Sequence, residues 1–184
     1  MNLWLRLFWL LLTAGRRGAL KLPGDASRLA FRVWLHDLDP SLHMNNGRYL
    51  TLMDLGRLDS LARAGILREV IRQKWTPIAS TVTIRFRREL RLFQKFQLET
   101  RLVTWDATQV VMEQTFLIEG GPRHGQVAAR ALFKGGIYDR KDKKFVEIAR
   151  LMTLTGVSAA SPPVSPEVEA FLRADEELKQ GGRG

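Results

Sequence analysis

The chain has 184 residues, enough for one ordinary domain with extensions and a sizeable core. It contains no cysteine, which excludes disulfides, thiolate nucleophiles and cysteine-ligated zinc. A formal charge of +10 favours a phosphate-bearing partner, but no zinc-finger spacing, RNP-like aromatic motif or recognition-helix signature points to nucleic acid.

Residues 3–14 (LWLRLFWLLLTA) are apolar apart from Arg6 and Thr13. The run is shorter than the ~20 residues a membrane-spanning helix needs. Arg16 and Arg17 follow it rather than precede it, which argues against a signal peptide. The expectation is an interfacial helix, with Trp4 and Trp9 at headgroup level and Arg6, Arg16, Arg17 and Lys21 on anionic lipid. The competing reading is a helix docked on the domain's own surface. Residues 22–27 (LPGDAS) read as a linker. They separate an N-terminal membrane-associating segment (1–24) from a domain at 25–156, and a Pro/Ser linker and helical tail occupy 157–184.

Within the domain, residues 28–35 read as a first strand. Residues 36–49 (HDLDPSLHMNNGRY) combine turn chemistry with acidic, histidine and amide side chains. A helix is predicted over 49–64, so this polar cluster falls at a strand-to-helix junction, where free backbone amides favour negative charge. On that helix Leu50, Met53, Leu58, Leu61 and Gly65 share one side. Asp54 falls on the same side, where a carboxylate must be paired or functional, whereas Asp59 points to the other face.

Residues 77–90, 95–105, 109–119 and 126–138 read as strands, and their short connections favour an antiparallel meander. Residues 145–154 are a short strand or helix, 158–166 (SAASPPVSP) a linker, 167–179 a short helix and 181–184 a frayed end. One strand, a long helix and a run of strands make an α+β layout, with the sheet wrapped round the helix.

The string Asp37-Leu38-Asp39-Pro40 followed by His43-Met44-Asn45-Asn46-Gly47-Arg48-Tyr49 resembles hotdog-fold acyl-CoA thioesterases of the 4-hydroxybenzoyl-CoA type. Its HMNNGRY part is most similar to the thioesterase-superfamily-member-6-like branch. The resemblance covers residues 31–138. It implies that Asp39 is the catalytic carboxylate, as nucleophile or general base, with Asp54 the second candidate because other hotdog thioesterases carry theirs on the long helix. It also implies an oxyanion site in backbone amides near Asn46 and Gly47, and His43, Asn45 and Tyr49 around the acyl group. Thioester hydrolysis builds charge on the carbonyl oxygen, which pre-aimed amides stabilise, and it needs neither metal nor cofactor. His36 and His124 read as surface residues.

Family members bind acyl-CoA at a dimer interface, so a homodimer or homotetramer is expected, and on the cytoplasmic side, where coenzyme A is found. Arg85, Arg87, Arg88 and Arg91 read either as a solvated strand face or as an entrance for the phosphates of coenzyme A. The alternative function is a non-catalytic acyl-CoA-binding or membrane scaffold of the same fold. Nucleic acid is not expected as a partner.

Overall fold

A computed structural model describes residues 3–154, 156 and 160–181. Residues 158–159 of the expected linker and 182–184 of the expected frayed end lie outside the described residues.

Strands β1 (Ala26–Arg32), β2 (Thr76–Phe86), β3 (Lys95–Trp105), β4 (Gln109–Glu119) and β5 (Val127–Asp139) form an antiparallel sheet in the order β1-β3-β4-β5-β2. A two-residue strand, β6 (Lys144–Phe145), pairs with the end of β5. In β3, Phe96, Leu98, Thr100, Leu102 and Thr104 are buried in strict alternation, which turns one face of the strand to the core.

The expected meander is correct for β3, β4 and β5. It is wrong for β2, which pairs with β5 at the far edge and not with β3. Residues 87–94 are no tight turn. They run past the β1-to-helix junction, where the Met44 N–H donates to Leu90 O, His43 bridges Arg91, and the Phe93 N–H donates to Val33 O.

The long helix α2 (Asn46–Arg63) buries Tyr49, Leu52, Met53, Leu55 and Gly56 against the sheet. Gly56 marks the closest approach, since a Cβ there would stand 2.4 Å from Thr100 Oγ1. The helix starts earlier than predicted because Asn45 caps it, its Oδ1 accepting the Gly47 N–H at 2.8 Å. Its most buried face is not the stripe expected from hydrophobic periodicity. Of that stripe Met53 is fully buried, but Leu50 is exposed and Leu58 and Leu61 are half-buried. The core face carries Gly56, Asp59 and Ser60, residues that contribute little to an apolar pattern.

Gly65, in the left-handed region at φ 78°, ends this helix and lets α3 (Ile66–Arg72) begin. After β6, α4 (Ile148–Leu154) buries Ile148, Leu151 and Met152. Helix α5 (Pro166–Gly181) sets Val168 and Phe171 on Val111 and Leu132, on the sheet face turned away from α2. Sheet and central helix together are the hotdog arrangement that the motif implied.

Helix α1 (Leu3–Ala14) packs on this body instead of standing apart. Leu3, Leu7 and Leu10 recur at helical spacing and join the core cluster of α2 and the sheet. Beyond it, Arg63 of α2 donates to the carbonyls of Arg17 and Gly18, and Arg17 lies 3.0 Å from the buried Asp59. The opposite face of α1 presents Trp4, Leu5, Phe8, Trp9, Leu11 and Leu12 to solvent. Among the described residues, no helix is long and apolar enough to cross a membrane.

Candidate active site

The junction between β1 and α2 is a closed, hydrogen-bonded turn. A short helical turn (Leu35–Asp37) leaves β1, and Leu38 then bridges Met44. Between them the Asp39 N–H donates to His43 O and the Leu42 N–H to Asp39 O, both at 3.0 Å. Asp39 Oδ1 accepts the Ser41 N–H at 2.9 Å, and Oδ2 lies 3.5 Å from His43 Nδ1. The Asp39 side chain keeps 18% of its surface exposed, so it is held in place yet open on one side.

Asn45 and Asn46 are exposed at the helix start. Of the amides there, that of Gly47 is already taken by Asn45 Oδ1, and a substrate oxygen would have to displace this cap. Tyr49 is buried, packed edge-on against Phe86 and Phe116, and burial pushes its hydroxyl up to about 12. It packs in the core cluster with Phe96 and Phe116 and is not among the residues lining the hollows along α2.

The residue that sequence reasoning passed over is Asp37. Its carboxylate is buried and accepts from three directions. Arg48 Nε and Nη2 reach Oδ1 at 3.0 and 2.8 Å, and Arg6 Nη2 and the Trp34 N–H reach Oδ2 at 2.7 and 3.0 Å. Burial opposes its charge, but the Trp34 N–H and both guanidiniums outweigh that and hold the carboxyl below its ordinary range. The doublet of aspartates flanking Leu38, with Arg48 eleven residues on, was the available signal. Arg6 gave none, because its partner is 31 residues away.

The second candidate, Asp54, sits elsewhere. It is exposed and ion-paired with Arg57, one of the two readings its place in the apolar stripe left open. Arg57 lies 4.0 Å over the Phe133 ring and donates to Gln114 Oε1 at 2.7 Å. Burial pulls its guanidinium down and Asp54 opposes this. Gln114 is itself buried and donates to Met53 O and Thr100 Oγ1, both at 2.9 Å, so the pair stands on a fixed polar post.

Asp54 and Arg57 rim a groove of about 450 Å³ between α2 and β2, walled by Leu58, Leu61, Ile78, Val110, Met112 and Phe133. A smaller hollow of about 210 Å³ continues it along α2 to Leu50. The groove therefore runs toward the helix end that carries Asp39's turn, although Asp39 is not among its lining residues.

Arg85, Arg87, Arg88 and Arg91 are all exposed, with Arg88 donating to Val127 O and Arg91 to Glu89. His36 lies 3.4 Å from Asp37 Oδ1, and His124 accepts the Gly120 N–H. Among the described residues, no cluster of histidines and carboxylates could hold a metal ion.

Comparison with known proteins agrees with this layout. The sequence profile of the thioesterase-like superfamily matches residues 33–172. The chain is 42% identical to protein THEM6 of Danio rerio over 142 residues, which are 77% of this chain and 66% of that relative. The matched stretch thus spans just under two thirds of the relative's length. The probable thioesterase YbaW from Escherichia coli superposes with a TM-score of 0.62 at 23% identity, covering 69% of this chain and 94% of YbaW. A 4-hydroxybenzoyl-CoA thioesterase variant in complex with 4-hydroxybenzoyl-CoA superposes at 0.64 and 13% identity, covering 71% and 98%. At these identities the structural matches establish the fold alone.

Proposed function

The chain belongs to the thioesterase-like superfamily, and on that premise we propose that it hydrolyses an acyl-CoA to the free acid and coenzyme A. The observation that carries the reading is the apolar groove along α2. It is large enough for an acyl group and leads toward a turn that pins a partly exposed carboxylate at a helix start. In this reading the acyl chain lies between Leu58, Leu61, Ile78 and Phe133. The thioester carbonyl meets the amides of Asn46 and Gly47, with Asn45 releasing the Gly47 N–H.

Asp39 then acts on the carbonyl carbon. As general base it takes a proton from water while the water oxygen attacks; as nucleophile it attacks first and water cleaves the resulting anhydride. In both routes the C–S bond breaks, the sulfur leaves as thiolate and gains a proton, and the acid departs. His43, beside Asp39 Oδ2, orients the carboxylate.

Two further assignments accompany this one. The edge strand β2 exposes Ile78 and Val82 at the groove and Phe86 further along, and a second copy pairing there would cover strand and groove, which favours a homodimer. The outward face of α1, with Trp4, Phe8 and Trp9 exposed and Arg16 and Lys21 nearby, favours peripheral attachment to a membrane on the side where coenzyme A is present. The purified full chain, offered acyl-CoA esters from aromatic to long aliphatic, should release free thiol. Binding of acyl-CoA without thiol release would replace the enzyme with the scaffold.

A further inference from the structure

Asp37 occupies an unusual place beside the Asp39 turn. Its backbone carbonyl accepts the Asn45 N–H at 2.8 Å, so the Leu38–Met44 bridge springs from Asp37 and returns to a residue that Asp37 holds. Its carboxylate binds Arg48 from the first turn of α2 on one oxygen and Arg6 from α1 on the other. Three elements therefore meet on one side chain: α1, the stem of the turn and the start of α2.

Arg6 is in turn committed to Asp37. The whole residue is 4% exposed, its Nη1 has no hydrogen-bond partner among the described residues, and its remaining neighbour of note is the Phe31 ring at 5.9 Å. A buried guanidinium so poorly furnished depends on the opposite charge, and removing either partner strands the other. Such a pair contributes less to stability than a well-packed apolar pair would, so its position at the stem of the turn is the informative feature.

We infer that Asp37 is a positioning residue for the site, and that Arg6 makes the docked helix α1 part of the catalytic unit and not a detachable anchor. The inference rests on the reading of Asp39 as the site carboxylate. With Arg6 in place, both stems of the turn and the first amides of α2 are held in one register. Without it, Asp37 keeps one guanidinium and the turn loses its fixed base.

The test uses the full chain and compares wild type with Arg6→Met, Arg6→Lys, Asp37→Asn and the Arg6→Met/Asp37→Asn double variant. Phe171→Leu, in the cluster under α5, controls for general loss of stability. On the best acyl-CoA substrate, kcat should fall about tenfold or more in Arg6→Met with KM within about threefold, as misplacement without lost binding requires. Arg6→Lys should recover part of the loss, the double variant should be no worse than Asp37→Asn, and Phe171→Leu should keep its kcat.

Independently of activity, the amides of Met44, Asn45, Gly47 and Arg48 should exchange hydrogen about tenfold faster in Arg6→Met while those of β3 and β4 do not change. If kcat and the exchange of those amides both stay within about twofold of wild type, the inference is overturned and the pair is structural only. If wild type turns over no acyl-CoA, exchange decides. Faster exchange keeps Asp37 as the clamp of the turn while the thioesterase reading falls, and unchanged exchange removes both.

Discussion

Substituting Gly56 by alanine tests how closely α2 lies on the sheet, and so whether the groove and the Arg57 post are placed as described. A Cβ at this position would stand 2.4 Å from Thr100 Oγ1 and 3.0 Å from Gln114 Nε2, well inside the 3.4 Å at which ordinary contact begins. Alanine favours the helix by about 1 kcal/mol over glycine. Overpacking a tight core works against it by about 1–3 kcal/mol. Displacing Gln114 weakens its bonds to Thr100 and Met53, each contributing about 0.5–1.5 kcal/mol. The balance is a destabilisation of about 2 kcal/mol, or roughly 4–8 °C in Tm for a chain of this size.

Thermal and urea unfolding followed by circular dichroism would measure it, with Thr100→Ala as the background that removes the closest atom. There the penalty should shrink below about 1 kcal/mol, a coupling expected of residues in contact. Gly56→Ala at wild-type stability, or with the same penalty in both backgrounds, would refute the close approach.

Asp37→Asn should give a pH-dependent loss of stability. The folded carboxyl lies below the ordinary aspartate value of about 3.9, so its contribution is complete above that pH and fades as the pH falls through the folded value. Urea titrations from pH 7 down to 3 should show wild type and variant converging toward the acid end, and a constant gap would contradict the charge pairing. Replacing Trp4, Phe8 and Trp9 together by serine should weaken binding to anionic vesicles by at least about a hundredfold, given roughly 1.5–3 kcal/mol per large apolar side chain. Equal co-sedimentation of variant and wild type would remove the membrane assignment. Ala79→Phe, which fills the hollow between β2 and α2, should lower kcat/KM for long acyl chains about tenfold more than for short ones, since one or two methylenes are worth about that much. Equal loss across the panel would place the chain elsewhere.

The fold was largely legible because its signals are local. Strand-favouring composition and the short breaks between runs give β3 and β4 their observed bounds, and the apolar run does the same for α1. What escaped depends on distance in the chain. The place of β2 at the far edge follows from residues 87–94 binding the β1–α2 turn, a pairing with no periodic signature. The periodic stripe of α2 buries Met53, yet its Leu50, Leu58 and Leu61 wall the groove, because Gly56 and the buried Asp59 hide the rest of the contact face.

At the site, turn chemistry and the family motif marked Asp39, His43, Asn45 and Asn46 together, and the structure gathers them within one turn and helix start. Asp37 was read as a neighbour of Asp39 when it is the buried anchor. Its role needs Arg6, which the interfacial-helix reading places on lipid and only the docked-helix reading turns inward. A helix can do both, since Arg6 and Leu10 face inward while Trp4, Phe8 and Trp9 face out.

In the proposed reaction Asp39 supplies the carboxylate for thioester hydrolysis. The most direct measurement is thiol release from acyl-CoA by wild type, Asp39→Asn and Asp54→Asn, each checked for folding. Asp39→Asn should lose about a hundredfold or more in kcat, the contribution of a positioned acid–base group, while Asp54→Asn stays within about tenfold. An active Asp39→Asn beside an inert Asp54→Asn would contradict it and move the chemistry to the groove face of α2.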